Sequence, residues 1–140
     1  MLNLIHTEEF EKFKDFETKI SVLHFQLEEA SRNFEIFSKC LELKQITNYR
    51  IYSKIGEQYN LSRQRILDIY DKYLIHFILF LHYKLNYEWE HAVILQCMSV
   101  LDDSAKGRLY KFRLDKKPFK EANKRDLYLL SDRRYLNAKM

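Results

Sequence analysis

"KIGEQYNLSRQR", residues 54–65, contains Gly56, one of only two glycines in the 140-residue chain. Ile55 precedes it, Asn60 and Leu61 follow, and Ser62 stands before the pair Arg63 and Arg65. Two short helices joined by a tight three-residue turn need residues of these types. The first helix needs a small residue where the second crosses it, which suits Gly56. The turn needs a residue that tolerates a left-handed backbone, a role in which asparagine ranks next after glycine. Leu61 supplies an apolar plug. Ser62 is among the best N-caps for the helix that follows. The inner face of that helix then repeats as Ile66, Ile69 and Tyr73, and its outer face opens with Arg63, Gln64, Leu67 and Asp68. This layout is that of a helix-turn-helix whose recognition helix begins at Ser62.

The segment "YSKIGEQYNLSRQRILDIYDKYL" (52–74) resembles the −35-reading domain of bacterial sigma factors. Ile55, Gly56, Ser62, Arg63, Arg65, Ile69, Lys72 and Leu74 stand where that family's pattern has the same residues. The resemblance implies a DNA-binding helix-turn-helix over 52–74 and extends no further; nothing resembles the −10-reading domain. Gln64, Leu67 and Asp68 depart from the family at its base-reading positions, so recognition of a −35 element is not part of the expectation. Arg63 and Arg65 are expected to contact phosphate or bases of another site, and Gln64 retains the donor and acceptor pattern that suits adenine.

Outward from this segment, two glycines and one proline leave few helix breakers, and long helices are expected throughout. Residues 7–44 read as one long helix. Phe13, Ile20, Leu27, Phe34 and Leu41 recur seven apart, and Phe16, Leu23, Ala30 and Phe37 follow the first four by three, an a/d heptad seam. Thr7 is its expected N-cap, with Glu8 and Glu9 in the first turn. The seam suits a coiled coil with a second copy, or packing within one monomer. "QITNYR" (45–50) interrupts the pattern before a short helix over 50–59. The stretch "YLIHFILFLHYKL" (73–85) is apolar nearly all round, as a buried helix is, and too short and too punctuated to span a membrane. A further helix is expected over 87–101, with Ala92, Leu95 and Val100 on its apolar face, then a turn at 102–107 and a last helix opening near Pro118. The expected fold class is all-α: one domain of 140 residues, with a long N-terminal helix packed on the helix-turn-helix, an extended apolar recognition helix and C-terminal helices.

Charge is unevenly spread. Residues 1–104 carry 12 Lys/Arg and 16 Asp/Glu; residues 105–140 carry 12 Lys/Arg and 4 Asp/Glu, a net +8. The basic end points to an anionic partner. The expected DNA-contacting residues are Arg50, Lys54, Ser62, Arg63, Gln64 and Arg65, supported by Lys106, Arg108, Lys111, Arg113, Lys116 and Lys117 gripping phosphate.

Chemistry is not expected. Cys40 and Cys97 stand alone, without metal or disulfide spacing, as buried thiols of a reducing cytoplasm. The five histidines form no ligand set; His76 reads as a core residue, and Asp71 occupies the arginine position of the Arg-x4-His motif of small helical nucleases. No phosphate loop or nucleophile elbow appears, so neither a cofactor nor a metal is expected. The N-terminus lacks the pattern of a secretion signal. The expected function is a non-enzymatic, DNA-binding transcription regulator of a bacterium or phage, with a homodimer formed through the seam or through 73–85. The alternatives are an interaction module that binds RNA polymerase or a sigma factor, and a structural coiled-coil protein.

Overall fold

The structure, a computed structural model, describes residues 3–23, 27–103, 105, 106 and 109. Among them the chain is helical, with no strand. A short 3-10 helix, Leu4–His6, leads into α1 (Glu8–Leu23), α2 (Leu27–Lys44), α3 (Ile51–Tyr59), α4 (Arg63–Tyr83) and α5 (Ala92–Ser99). The chain divides into two compact units, Met1–Tyr73 and Leu74–Met140, and α4 runs unbroken through the division.

In the first unit the expected single helix over 7–44 is replaced by two helices folded back on each other. Phe10 and Phe37 have ring centroids 6.0 Å apart, and Phe13 lies 5.8 Å from Phe34. On one straight helix, at about 1.5 Å per residue, Phe10 and Phe37 would be separated by roughly 40 Å. The a/d seam closes on itself: Phe13, Phe34, Phe37 and Leu41 are buried within one chain. These four seam residues pack within the chain's own hairpin. The sequence shows no break because neither glycine nor proline marks the reversal. Thr7 caps α1 as expected, with its Oγ1 accepting from the Phe10 amide at 3.2 Å. Glu8, Glu9 and Glu11 place negative charge at the positive end of the helix. The inner face of α1 is more polar than the heptad pattern suggested: Glu17 and Ser21 are buried, while Phe16 and Ile20 are half-buried.

After α2, the amides of Ile46 and Thr47 fold back onto the Leu43 carbonyl, and the helix ends at Lys44. The Gln45 side chain reaches across to the Leu4 amide at 3.3 Å, which ties the buried Leu4 to the end of α2. Arg50, in a left-handed conformation, turns the chain into α3. From α3 and the first part of α4, Ile51, Tyr52, Ile55, Ile66, Ile69, Tyr70 and Tyr73 enter the core. Tyr70 and Tyr73 lie 6.2 and 5.7 Å from Phe37. Ile66, Ile69 and Tyr73 thus form the inner face that the sequence pattern indicated.

In the second unit Leu74–Leu81 are buried on every side of the helix, as the continuous apolar run requires. Tyr73 is buried as well, whereas His82, Tyr83 and Leu85 are half-buried and Lys84 is exposed. The carbonyl of Phe80 accepts from Lys84 and Leu85, and Asn86, at φ 60°, turns the chain. The next helix begins at Ala92 and not at 87. The His91 Nδ1 accepts from the Val93 amide at 3.1 Å and acts as the cap, a role the sequence reading did not assign. His82 stacks on Trp89 with centroids 4.0 Å apart and donates from Nδ1 to the Tyr87 carbonyl. Val93, Ile94, Cys97 and Val100 are buried; Ala92 and Leu95, expected on the apolar face, are exposed. Cys40 and Cys97 are buried free thiols. At the expected 102–107 turn, the Ala105 and Lys106 amides both donate to the Asp102 carbonyl, which makes it a helical turn. The helix expected from Pro118 lies outside the described residues.

Phe37→Ala should lower stability by roughly 3–5 kcal/mol in urea denaturation, because a buried ring would be replaced by a cavity. Ile46→Ala, at an exposed position, should stay within about 0.5 kcal/mol. Equal losses from the two would contradict the aromatic core.

Candidate nucleic-acid interface

Residues Asn60, Leu61 and Ser62 join α3 to α4. Asn60 is left-handed at φ 56° and ψ 45°, and its amide closes α3 on the Gly56 carbonyl. The Leu61 amide donates to the same carbonyl at 2.9 Å. Gly56 itself has no positive φ. Its value is space: a Cβ there would lie 2.5 Å from the Leu61 carbonyl oxygen and 3.6 Å from Cγ1 of Ile66. The glycine is needed because the turn's own backbone passes over it, and Asn60 supplies the left-handed step. Ser62 then caps α4: its Oγ accepts from the Arg65 amide at 3.1 Å and its carbonyl from the Ile66 amide.

This geometry leaves Ser62, Arg63, Gln64 and Arg65 exposed together on the first turn of α4. Beside them a shallow concavity of about 430 Å³ is lined by Ser53, Gly56, Glu57, Asn60, Leu61, Ser62 and Arg63. The face carries mixed charge. Arg65 Nη2 lies 3.7 Å from Glu29 Oε1, with both side chains about half exposed. The Gln64 amide donates to Asp68 Oδ1 at 2.9 Å, an i,i+4 pair. Asp68 was readable from that spacing. Glu29 was not, because it approaches from α2. Arg50 caps the opposite end of α3 from the turn, and Lys54 lies in the middle of that helix. Lys54 lies over the exposed Tyr49 ring, 5.2 Å from its centroid. Lys106 is paired with Asp103 at 3.7 Å. Arg108, Lys111, Arg113, Lys116 and Lys117 lie outside the described residues.

The last turn of α3 is held to α2 by a three-residue cluster. The Tyr59 hydroxyl donates to Glu35 Oε1 at 2.7 Å; Lys39 pairs with the same oxygen at 3.3 Å and lies 4.9 Å over the tyrosine ring. The hydrogen bond from Tyr59, with help from Lys39, holds the Glu35 carboxyl below its ordinary range. Burial pushes the Tyr59 phenol above its own. The cluster's contribution is present above the ordinary carboxylate range and is lost as pH falls through the lowered Glu35 value. At the alkaline end it is present below the ordinary tyrosine pKa and is lost as pH rises through the raised one. Among the described residues no group of three His, Cys, Asp or Glu could hold a metal, and no helix is long and apolar enough to cross a membrane.

Gly56→Ala should cost roughly 1–3 kcal/mol, since its Cβ meets backbone that cannot swing aside. Ser62→Ala should cost about 1 kcal/mol through the lost cap. Both are measurable by thermal or urea unfolding. Tyr59→Phe should return the Glu35 carboxyl toward its ordinary pKa, read by carboxylate NMR titration; an unmoved titration would show that the hydroxyl is not the cause.

Comparison with protein-family models, with curated proteins and with solved structures finds no match to this chain.

Proposed function

We propose that the protein is a DNA-binding transcription regulator in which α3 and α4 form a sigma-like helix-turn-helix. The observation that carries this reading is the turn itself. Gly56 leaves room for the Leu61 carbonyl, Asn60 takes the left-handed step and Ser62 caps α4, and the first turn of α4 exposes Arg63, Gln64 and Arg65. A helix N-terminus with arginines on its outer face is suited to a major groove. The Arg65–Glu29 pair is half exposed and of the kind that contributes little, so phosphate or a guanine edge can displace it. Sequence-independent affinity would come from the net +8 of residues 105–140, Lys116 and Lys117 among them. Buried free thiols at Cys40 and Cys97 accord with action in a reducing, cytoplasmic setting.

A second reading is favoured by one observation. Glu29 and Asp68 engage two of the residues on the α4 face, so that face is polar and of mixed charge. Such a surface also suits a protein partner, RNA polymerase or a sigma factor in the first instance.

Fluorescence anisotropy with AT-rich duplex DNA at two salt concentrations separates the readings. Arg63→Ala and Arg65→Ala should each weaken binding by roughly 1–3 kcal/mol where the side chain pairs with a guanine, and relax preference at one base. Lys116→Ala and Lys117→Ala should weaken all sequences alike and flatten the salt dependence. Unaltered binding by a folded Arg63→Ala, Arg65→Ala double variant, or no binding by wild type at low salt, would reject the DNA reading. Capture of purified RNA polymerase would then test the second.

A further inference from the structure

The connection between α2 and α3 carries the two most exposed large apolar side chains among the described residues. Ile46 is 79 % exposed and Tyr49 is 66 % exposed. Both stand in a stretch unlike the sequence before it. Residues 1–42 carry 5 Lys/Arg and 9 Asp/Glu, whereas residues 43–56 carry Lys44, Arg50 and Lys54 and no acid. Glu42 and Glu57 are the carboxylates that flank this stretch along the chain.

The turn holds these residues outward. The Gln45 side chain roots it, donating to the Leu41 carbonyl at 3.1 Å and accepting from the Leu4 amide. The Ile46 and Thr47 amides donate to the Leu43 carbonyl at 2.9 and 2.8 Å, and the Tyr49 amide donates to Thr47 Oγ1 at 3.1 Å. Arg50 takes a left-handed backbone at φ 51°, which is unfavourable for a residue with a β-carbon. Every residue from Ile46 to Arg50 is exposed. Lys54 lies over the Tyr49 ring, 5.2 Å from its centroid, and Lys44 lies over the buried Tyr52. An exposed aromatic ring thus stands among cations.

The cations suit an anion, and the ring suits a flat partner that stacks on it. A nucleotide offers both, in its phosphate and its base. Bases within a duplex are already stacked and present only their edges, so a ring displayed on a turn fits an unpaired strand. A lipid surface fits less well, because Thr47 and Asn48 stand between Ile46 and Tyr49 and would lose their water with them. An acidic peptide would engage the cations but has no need of the ring. We propose that residues 44–54 bind unpaired nucleic acid, with a base stacked on Tyr49 and the adjoining phosphates paired with Arg50 and Lys54. This surface lies at the opposite end of α3 from the turn into α4, and the proposal does not rest on the duplex reading of the α4 face.

The test is fluorescence anisotropy on the full chain, with labelled oligothymidine and oligouridine of about 12 nucleotides, within the span that single-strand sites cover. At least one should bind saturably; tighter oligothymidine assigns the surface to DNA and tighter oligouridine to RNA, and either supports the proposal. Tyr49→Leu keeps every charge, those of residues 105–140 included, and should weaken binding by roughly fivefold or more. Tyr49→Phe keeps the ring and should bind as wild type does. Lys54→Gln and Arg50→Asn, the latter a residue that tolerates the left-handed backbone, should weaken binding and flatten its salt dependence. Circular dichroism confirms that each variant is folded; should Tyr49→Leu fail to fold, Lys54→Gln decides. The Arg63→Ala, Arg65→Ala double variant should keep its single-strand binding, which separates this surface from the α4 face. The proposal is overturned if neither oligonucleotide binds saturably, if folded Tyr49→Leu binds as wild type does, or if the double variant loses single-strand binding. It is also overturned if polyglutamate or phosphatidylglycerol vesicles displace the oligonucleotide as well as unlabelled oligonucleotide does.

Discussion

Phe37 is the ring around which the N-terminal unit is assembled. Phe10, Phe13, Phe34, Tyr70 and Tyr73 all have centroids between 5.7 and 6.3 Å from it. These rings come from α1, α2 and α4, so one side chain on α2 fixes the hairpin and seats the start of α4 on it. Edge-on and tilted aromatic pairs each contribute about 0.5–1.5 kcal/mol beyond the area they bury. The larger effect is geometric. Large flat rings leave few alternative packings, and that sets where α4 begins and which of its sides faces out.

The exposed arginines follow from that placement. Ile66, Ile69, Tyr70 and Tyr73 are drawn inward, and the remaining side of the first turn must be Arg63, Gln64 and Arg65. The turn before it is constrained just as tightly: Gly56 yields space to the Leu61 carbonyl, and Asn60 takes the left-handed step. Packing and turn geometry thus converge on the same small surface. Its chemistry is moderated by acids brought in from elsewhere, with Glu29 beside Arg65 and Asp68 beside Gln64.

What could be read from the chain depended on whether the cause was local. The α3–α4 turn, the Thr7 and Ser62 caps and the buried run from Tyr73 were legible, because each rests on neighbouring residue types and spacing. The reversal between α1 and α2 was not. A heptad stripe is satisfied equally by a second chain or by its own other half, and no glycine or proline marks the fold-back. The His91 cap was missed because histidine caps rarely, and its absence from the reading moved the start of α5 forward to residue 87. The buried Glu17 and Ser21 were missed because an apolar pattern predicts what should be inside and is silent on polar residues carried in with it. Glu29 beside Arg65 is a tertiary contact with no trace in sequence spacing.

The unbroken course of α4 has a consequence for how the molecule comes apart. Its residues belong to the Met1–Tyr73 unit at one end and to the Leu74–Met140 unit at the other, with no turn, proline or glycine between. A helix interrupted in the middle must leave several amides and carbonyls unpaired and nucleate again, which is unfavourable. Loss of either unit therefore strips support from the helix that the other needs. The two units are thermodynamically coupled through a shared backbone ladder, and unfolding is expected to be a single cooperative event, with the central amides of α4 the last to exchange their hydrogens with solvent.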